Sequence, residues 1–407
     1  LPTRAVTMTV MCARSTPSKP QTLRHLIACL AILGASMVPG WAAAQVAIPQ
    51  APPVDAESYV LMDFDSGHVI AQKDPHMAVE PASITKLMTS YVAFHELKRG
   101  NIALEDEVLI SERAWRTGGS RMFVEVNTRV ELESLLKGII IQSGNDASVA
   151  VAEHIAGTEA AFALLMNEYA RHLGMDETFY VNATGLPDPN QMTSAHDSAR
   201  LARAIIEEFP EYYAWYSQRE FTYEGIRQHN RNRLLWRDPS VDGLKTGHTE
   251  AAGYCLVTSA LRNDMRLISV VMGSSDEESR ATSSQSLLNY GFRFYETYPL
   301  YDIDDAIATA EVWQGVADEV SLRVDAPVFV TVPRGRFDDI ENTLVLNDDV
   351  IAPVAQDQLL GTLQVVLDED VLAERAVLAG GAVEQAGFFG RTQDRLKMWW
   401  QGMLGDG

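Results

Sequence analysis

The sequence predicts an α+β fold in which an antiparallel sheet lies beside a cluster of helices, followed by a small all-β domain and a C-terminal amphipathic helix. Three observations support this prediction. A strand pair opens the globular part of the chain, helical stretches follow it, and the apolar residues then alternate as in strands between residues 243 and 272. Strands at both ends of a helical run favour one antiparallel sheet with the helices packed beside it.

The first elements are a hairpin and a buried helix. Residues 58–64 and 69–72 have the pattern of strands around the turn Asp65-Ser66-Gly67-His68. The next helix is expected between Pro81 and Gly100, because proline suits the first helical turn and glycine the position after the last. Its apolar residues recur at helical spacing, so we expect about four buried turns.

The middle of the chain is predicted to be helical. A helix ends near Ile141, where the apolar run turns abruptly polar and places Ser143 and Asn145 in a loop that leaves the core. Further loops with glycine are expected at 117–120 and 182–193. The other helical stretches are 147–156, 159–173, 196–209 and 280–295.

Changes in composition divide the chain. The expected parts are a signal peptide over 1–44, a proline-containing linker over 45–57, a first domain over 58–298, an all-β domain over 304–385 and a helix over 387–407. The all-β domain is expected to have strands at 320–324, 328–332, 343–346 and 363–366. It carries no clustered His, Cys or acidic motif, so a spacer or docking module is its favoured interpretation.

Residues 1–44 have the composition of a secretory signal peptide, with four basic residues, no acid, an apolar run too short to span a membrane, and Ala42-Ala43-Ala44 before the expected cut. Leu26-Ile27-Ala28-Cys29 also resembles a lipoprotein cleavage box, which would make Cys29 an acylated anchor. The apolar run that should precede such a cysteine follows it, so we favour the simple signal peptide.

Charge and cysteine content restrict the partners. Removal of the leader takes the formal net charge from −22 to −26, which argues against nucleic acid as a partner. Only Cys255 then remains, so no intramolecular disulfide can form. Cys255 lies in a strand-like run and is predicted to be a small buried apolar residue rather than a nucleophile.

The last residues, 387–407, combine aromatic and aliphatic residues at helical spacing with basic residues in an otherwise acidic chain. This pattern is typical of a helix that lies in a membrane interface, although a helix packed on its own domain is the alternative. The residues that carry the pattern are Phe388, Phe389, Arg391, Arg395, Leu396, Lys397, Trp399, Trp400, Met403 and Leu404.

Ser83 and Lys86 are the first candidate catalytic residues. They are three residues apart at a helix start, so the lysine can reach the hydroxyl. A neutral amine can take the proton of a serine, provided that desolvation and the helix terminus lower the pKa of the lysine. Ser-x-x-Lys occurs by chance about once or twice in 400 residues of ordinary composition. The motif therefore needs partners.

Two further motifs supply them, Ser143-Gly144-Asn145 and Lys245-Thr246-Gly247. Ser-x-x-Lys followed by such elements is the signature of penicillin-binding proteins and class A β-lactamases. The chain closely resembles the low-molecular-mass penicillin-binding proteins that are D-alanyl-D-alanine carboxypeptidases of the DacA type. The likeness covers almost the whole mature chain and is also carried by 55–59, 142–147, 230–236, 241–249 and 291–294.

The resemblance implies a serine DD-peptidase/β-lactamase-like domain and an acyl-transfer mechanism that serves cell-wall maturation and shape. Ser83 would attack the carbonyl of the penultimate D-alanine with Lys86 as base. Ser143 would relay a proton to the leaving amine, with Lys245 polarising it, and Asn145 would bind the substrate amide. The oxyanion hole would be formed by the backbone N–H groups of Ser83 and His248.

The substrate of a carboxypeptidase ends in a carboxylate, which needs cations and hydrogen-bond donors. The candidates are Lys245, Thr246, Thr249, Arg231 and Arg280. Gly247 and His248 complete the expected substrate-binding set, and for His248 the backbone matters more than the ring. For Arg231 a surface salt bridge is the alternative role. No histidine fits a zinc motif, so we expect no metal and no cofactor.

The expected partners are the peptidoglycan pentapeptide, β-lactams as covalent inhibitors and a membrane surface through 387–407. The resemblance implies a periplasmic enzyme attached to the outer face of the cytoplasmic membrane. A class A β-lactamase would need a Glu-x-x-Leu-Asn string, which does not occur between residues 147 and 245. The three intact motifs disfavour an inactive peptidoglycan-binding scaffold, whereas additional endopeptidase or transpeptidase activity stays open.

Overall fold

A computed structural model describes residues 7–9, 48–388, 391–392, 394–395, 397–398 and 400. The predicted signal peptide lies outside the described residues apart from a short strand, β1 (Thr7–Thr9). The chain forms two compact units. The larger one comprises residues 51–300 and 328–337, and the smaller one comprises the described residues of 1–50, 301–327 and 338–407.

The larger unit is built on a five-stranded antiparallel sheet in the order β3-β2-β10-β9-β8. The hairpin predicted at residues 58–72 is confirmed as its first two strands. The strands of this unit are β2 (Ser58–Asp63), β3 (Val69–Lys73), β4 (Glu107–Leu109), β5 (Arg129–Glu131), β6 (Glu220–Tyr223), β7 (Ile226–His229), β8 (Val241–Thr249), β9 (Gly253–Arg262), β10 (Met265–Ser274), β11 (Tyr295–Tyr301) and β14 (Val328–Pro333).

Helices pack beside this sheet, and α1 lies in the apolar core of the unit. Leu87, Met88, Val92 and Phe94 of α1 are completely buried, and the removal of this apolar surface from water anchors the helix. The helices are α1 (Thr85–Lys98), α2 (Glu112–Arg116), α3 (Leu132–Lys137), α4 (Asn145–Ala156), α5 (Glu159–His172), α6 (Ala195–Glu208), α7 (Pro210–Tyr213), α8 (Leu234–Arg237) and α9 (Glu277–Phe294).

The larger unit is discontinuous in sequence. β14 pairs with β11 in a two-stranded sheet, so residues 328–337 belong to the larger unit although residues 301–327 belong to the smaller one. The sequence predicted a boundary between residues 298 and 304, which differs from this division. The alternation of apolar residues can identify a strand, but it does not show which other strand it pairs with. Thr331 Oγ1 on β14 also lies 2.9 Å from Thr297 Oγ1 on β11.

Up to residue 385 the smaller unit is built on β-strands, as predicted. Its seven-stranded sheet has the order β1-β15-β17-β18-β13-β12-β16. Its buried side chains include those of Leu322, Val324, Leu363 and Val377. Besides β1, the strands of this sheet are β12 (Ala308–Trp313), β13 (Glu319–Val324), β15 (Ile340–Leu346), β16 (Val350–Ile351), β17 (Leu359–Leu367) and β18 (Asp370–Ala379).

The described residues between 388 and 400 are helical, and Phe388 and Trp400 are exposed. Phe389, Leu396, Trp399, Met403 and Leu404 of the predicted amphipathic pattern lie outside the described residues. In the described part of the chain, no single helix is both long and apolar enough to cross a membrane; α4 and α5 meet that test only together, as a pair bent by 84°.

Candidate active site

Ser83 lies in a tight turn that leads into α1. Residues Ala82–Ile84 form one turn of 3-10 helix, and Ala82 has a left-handed φ of 45° although it is not glycine. Such backbone strain is typical of functional sites, where the surrounding structure holds it in place. Lys86 follows one turn later, and its Nζ lies 3.1 Å from Ser83 Oγ. The structure thus brings the hydroxyl and the amine together, as their spacing predicted.

Lys86 is buried, with an exposed fraction of 1%. Its Nζ also donates to the carbonyl oxygen of Thr184 at 2.5 Å. Burial lowers the pKa of Lys86 to about 7, and the charge of Arg231 contributes to this decrease, whereas Asp146 acts in the opposite direction. A large fraction of Lys86 is therefore neutral at neutral pH and can accept the serine proton.

The Thr184 carbonyl is positioned by a loop that precedes α6. Asn182 Oδ1 accepts hydrogen bonds from the backbone N–H groups of Thr184 and Gly185, and Gln191 Oε1 accepts one from Asn182 N–H. Gly185 has a φ of 79°, and a Cβ at this position would lie 1.7 Å from Ala82 O. Only glycine therefore allows this loop to lie against the Ser83 turn.

Ser143 lies in a second strained turn. Residues Gly138–Gln142 form a π-helical turn, and Ser143 itself has a left-handed φ of 68°. Turns of this kind occur frequently at functional sites. Ser143 Oγ is buried and has no hydrogen-bond partner among the described residues. A buried hydroxyl without a partner is available to a ligand.

Asn145 was predicted in a loop, but it is the first residue of α4. The helix begins there because Gly144 is extended and its carbonyl accepts a hydrogen bond from Ser148 N–H, four residues on. Asn145 Nδ2 donates to Gly118 O at 2.7 Å, and its Oδ1 is a buried acceptor without a partner among the described residues. The amide therefore offers one free acceptor, which suits the N–H of a peptide.

The next residue, Asp146, holds the loop at residues 122–124 in place. Its buried carboxylate accepts hydrogen bonds from the backbone N–H groups of Met122, Phe123 and Val124. Asn145 N–H in turn donates to the backbone oxygen of residue 120 at 2.8 Å. The glycine-containing loop that the sequence predicted at 117–120 is thereby held against the Ser143 turn.

Strand β8 forms a further wall of the candidate site, beside the Ser83 turn. It is an edge strand of the sheet, and its Gly247 lies so close to the Ser83 turn that a Cβ there would be 3.1 Å from Pro81 O. Lys245 is buried, with an exposed fraction of 3%, and its Nζ donates to Thr246 O. Burial lowers the pKa of Lys245 strongly, and the positive charges of Lys86 and two arginines lower it further.

These two arginines, Arg231 and Arg280, bring positive charge to the same place. Arg231 Nε donates to Gln142 O at 3.1 Å, and no acidic side chain of the described residues lies within 4 Å of its guanidinium nitrogens. Arg280 is buried and its Nη1 donates to Gly247 O at 3.1 Å. Burial lowers the pKa of both guanidinium groups. Arg231 therefore does not form the surface salt bridge considered for it with any of the described residues. Its positive charge is available to an anion.

A cavity of about 290 Å³ joins these elements. Lys86 and Lys245 are buried and are not among its lining residues. The predicted site residues that line it are Ser83, Ser143, Asn145, Arg231, Thr246, Gly247, His248, Thr249 and Arg280. The lining residues that the sequence did not indicate are Gly119, Ser120, Thr184, Gly185, Leu186, Tyr254 and Glu277.

Most of these unpredicted residues lie on loops. Gly119, Ser120, Thr184 and Gly185 belong to stretches that the sequence identified as glycine-containing loops. The composition of a loop gives no information on what the loop packs against. Their place at the cavity follows from the hydrogen bonds of other polar side chains, chiefly Asp146 and those within the 182–193 loop.

The arrangement is suited to acyl transfer through a covalent serine intermediate. The Ser83 hydroxyl and the buried Lys86 amine of lowered pKa meet at 3.1 Å, and a second hydroxyl and two arginines line the same cavity as Ser83. Among the described residues, no group of three or more His, Cys, Asp or Glu side chains is arranged to hold a metal ion. Cys255 is buried, as predicted, and burial raises its pKa to about 11.

Comparisons with known proteins agree with this chemistry. The family model described as D-alanyl-D-alanine carboxypeptidase matches residues 45–276, and that described as penicillin-binding protein 5, C-terminal domain, matches residues 295–385. The D-alanyl-D-alanine carboxypeptidase DacA of Escherichia coli is 42% identical over 359 residues, covering 86% of this chain and 89% of that protein. DacF of Bacillus subtilis is 37% identical, covering 82% and 87%.

Solved structures show the same relationship. Penicillin-binding protein 5 from Haemophilus influenzae superposes with a TM-score of 0.80 at 40% identity, covering 83% of this chain and 100% of that one. Penicillin-binding protein D2 from Listeria monocytogenes, solved in its ampicillin-bound form, has a TM-score of 0.55 at 25% identity, covering 59% and 100%. With its Ser83 site and these matches, the chain belongs to the D-alanyl-D-alanine carboxypeptidase family of low-molecular-mass penicillin-binding proteins.

Proposed function

We propose that this serine carboxypeptidase removes the terminal D-alanine from peptidoglycan pentapeptide stems through an acyl-enzyme on Ser83. The observation that carries the proposal is the 3.1 Å contact between Ser83 Oγ and Nζ of Lys86, whose pKa burial lowers to about 7. Lys86 takes the serine proton as Oγ attacks the carbonyl of the penultimate D-alanine. The bond to the terminal D-alanine then breaks, and water later releases the shortened peptide.

Ser143 passes a proton to the departing amine. Its buried Oγ lacks a partner among the described residues, which suits a relay that acts only when substrate is present. Lys245, which is buried on β8, is proposed to polarise this hydroxyl. Asn145 Oδ1, which also lacks a partner in the described part of the chain, accepts a hydrogen bond from a substrate amide.

Edge strand β8 receives the substrate backbone. Its C-terminal residues line the cavity, and an extended peptide can pair with such an edge through backbone hydrogen bonds. Thr246 supplies a hydroxyl donor, and Arg231 and Arg280 supply charge for the terminal carboxylate. Thr249 also lines the cavity, and its hydroxyl, which donates to Glu80 Oε2 at 3.3 Å, would have to exchange that partner to bind the carboxylate. The backbone N–H groups of Ser83 and His248 are proposed to bind the oxyanion, following the family resemblance.

β-Lactams acylate the same serine and are released slowly. The carbonyl and the carboxylate of a β-lactam correspond to the attacked carbonyl and the terminal carboxylate of D-Ala-D-Ala. A β-lactam can therefore bind to the same groups of the enzyme. The Glu-x-x-Leu-Asn string of class A β-lactamases is missing between residues 147 and 245, so no glutamate from it can activate the deacylating water. We propose that Lys86 acts a second time as the base in deacylation.

Release of D-alanine from a synthetic pentapeptide tests the function, with a cross-linked stem-peptide dimer assayed beside it. We expect one D-alanine per pentapeptide and a slower or undetectable cleavage of the dimer. Cleavage of the dimer at a comparable rate would make the enzyme an endopeptidase as well. An enzyme that releases D-alanine from neither substrate would contradict the proposal.

Substitution of Gly185 by alanine should reduce acylation of Ser83 by about 100-fold. The new Cβ would lie 1.7 Å from Ala82 O, so the Ser83 turn or the Thr184 carbonyl must move. A misplacement of reacting groups by about 1 Å can cost this factor. The measurement is the second-order rate of labelling by a fluorescent penicillin.

Gly157→Ala is the matched control for this experiment. Gly157 has a similar φ of 74°, but a Cβ there meets no atom of the described residues within 4 Å. Both variants place an alanine at a left-handed φ, so they differ in the contacts of the new Cβ, which at residue 185 meets Ala82 O and, at 2.9 Å, Thr85 Oγ1. Equal labelling rates in the two variants would show that the loop does not position the serine.

The C-terminal segment 387–407 is proposed to hold the enzyme on the outer face of the cytoplasmic membrane, in the periplasm. Deletion of 387–407 should therefore free the protein from vesicles that contain anionic lipid, while D-alanine release in solution changes less than about twofold. Cosedimentation of both forms with the vesicles checks this. A shortened chain that still pellets with the vesicles would exclude the segment as the attachment.

A further inference from the structure

The cavity contains an acidic residue that the release of D-alanine does not require. Glu277, the first residue of α9, lines the cavity together with Ser83, and its side chain is 45% exposed. The side chain of alanine is an uncharged methyl group. A carboxylate in this position gives no favourable interaction with that methyl group and repels the terminal carboxylate of the substrate.

Glu277 contacts two arginines, one of which, Arg280, is proposed to bind the terminal carboxylate. Its Oε2 lies 2.5 Å from Nη2 of Arg233, and its Oε1 lies 3.5 Å from Nη2 of Arg280. Arg280 in turn donates to Gly247 O on β8. The negative charge of Glu277 also acts against the burial that lowers the pKa of Arg231. We therefore place this acid on the side of the cavity where the residue to be released lies, beyond the attacked carbonyl.

The carboxylate of Glu277 can exchange its partners. In the ion pair with Arg233 both side chains are about half exposed, at 45% and 52%, and such pairs contribute little to stability. The contact with Arg280 is long at 3.5 Å. A cationic group of a ligand in the cavity can thus compete for Glu277, while Arg231 and Arg280 hold the terminal carboxylate.

We propose that Glu277 determines which terminal residue is released, favouring a D-amino acid with a cationic side chain over one with an acidic side chain. The inference rests on the proposed function, because the selected residue is the one that leaves after attack by Ser83. The chemistry is unchanged: the same amide bond breaks and the same amine departs. The substrate class is thereby extended to stems whose last residue is a basic D-amino acid.

The test compares three peptides that are identical up to the penultimate D-alanine and end in D-alanine, D-lysine or D-glutamate. Release of the last residue gives kcat/KM for each. In the full-length wild-type enzyme we expect D-lysine to be released more efficiently than D-glutamate. In Glu277→Gln, which keeps the size but removes the charge, kcat/KM should fall about fivefold for D-lysine and rise about fivefold for D-glutamate, so their ratio should fall by roughly 25-fold.

Glu278→Gln is the matched control. Glu278 is the next residue on α9 and its side chain is 59% exposed, but it does not line the cavity. It pairs with Arg237 at 2.5 Å and lies 3.9 Å from Arg233, the partner of Glu277, so this control also loosens Arg233 without removing a charge from the cavity. Removal of its charge should leave the ratio unchanged. Glu277→Asp keeps the charge and should preserve most of the preference, which a purely structural role of the glutamate side chain would not predict.

The outcomes separate the two proposals. D-alanine release with a lysine-to-glutamate ratio that is the same in wild type and Glu277→Gln overturns the role of Glu277 and leaves the proposed function intact. An equal fall in Glu278→Gln overturns it too, since the effect would then come from general surface charge. Failure of the wild-type enzyme to release any of the three residues overturns both proposals.

Discussion

Ser83→Ala should abolish D-alanine release, with a loss of roughly 10⁴-fold or more. Without Oγ there is no covalent route, and the remaining groups of the cavity act on water alone. The same variant should lose all covalent labelling by a fluorescent penicillin, read on a denaturing gel. The fold should be unaffected, because the side chain of Ser83 bonds only Lys86 among the described hydrogen bonds.

Ser90→Ala serves as the control. Ser90 follows Ser83 by seven residues and is completely buried on α1, but it does not line the cavity. We expect this variant to keep both D-alanine release and labelling. Labelling that persists in Ser83→Ala would remove Ser83 as the nucleophile.

The second large effect concerns Lys86 and pH. Only its neutral form can act as a base, and burial lowers its pKa from the ordinary value of 10.5 to about 7. As the pH falls below about 7 the amine becomes protonated, so kcat/KM should decrease about tenfold per pH unit there and level off above it. The pH dependence of kcat/KM for D-alanine release, measured from about pH 5 to 9, checks this.

Lys86→Arg separates the charge from the base. A guanidinium group stays protonated at every accessible pH, so this variant keeps a cation beside Ser83 but loses the proton acceptor. Acylation by a penicillin should slow by roughly 10³-fold or more. An arginine variant that acylates at the wild-type rate would rule out Lys86 as the base.

Deacylation gives an independent measurement on the wild-type enzyme. If Lys86 acts again as base, the hydrolysis rate of an isolated penicilloyl-enzyme should show the same decrease below a pH of about 7. A rate that is constant across this range would restrict Lys86 to acylation. The proposed second role would then have to be abandoned.

The sequence was sufficient to predict which residues the candidate site brings together, because its three motifs are local. Ser83 and Lys86 share one helical turn, and Lys245 to Thr249 share one strand, so their spacing already determines how they are presented. The strands and helices around them follow from the period of apolar residues. The three motifs are brought together by the packing of the core. The spacing of apolar residues predicts which faces are buried, but not how the buried faces pack against one another.

The unpredicted part of the cavity depends on contacts between distant residues. Thr184 reaches Lys86 because Gln191 and Asn182 shape the loop and Gly185 allows the close approach. None of these loop residues has a recognisable motif. Their role therefore becomes visible only once the chain is folded.

Glu277 was missed for a different reason. The helix was expected to begin at Arg280, but Asp276 accepts hydrogen bonds from the N–H groups of residues 278 and 279 and starts α9 at Glu277. An aspartate before two glutamates is a readable helix start. This residue could therefore have been placed at the beginning of the helix from the sequence.

The return of β14 to the larger unit affects how the protein is made. Domains generally fold as units while the chain is synthesised from its N-terminus. Here the unit that carries Ser83 lacks the partner of β11 until residues 328–333 have been added, and residues 301–327 of the other unit come first. The active-site unit therefore reaches its final form only after part of its neighbour has been synthesised, and a chain that stops before residue 328 leaves β11 as an unpaired edge.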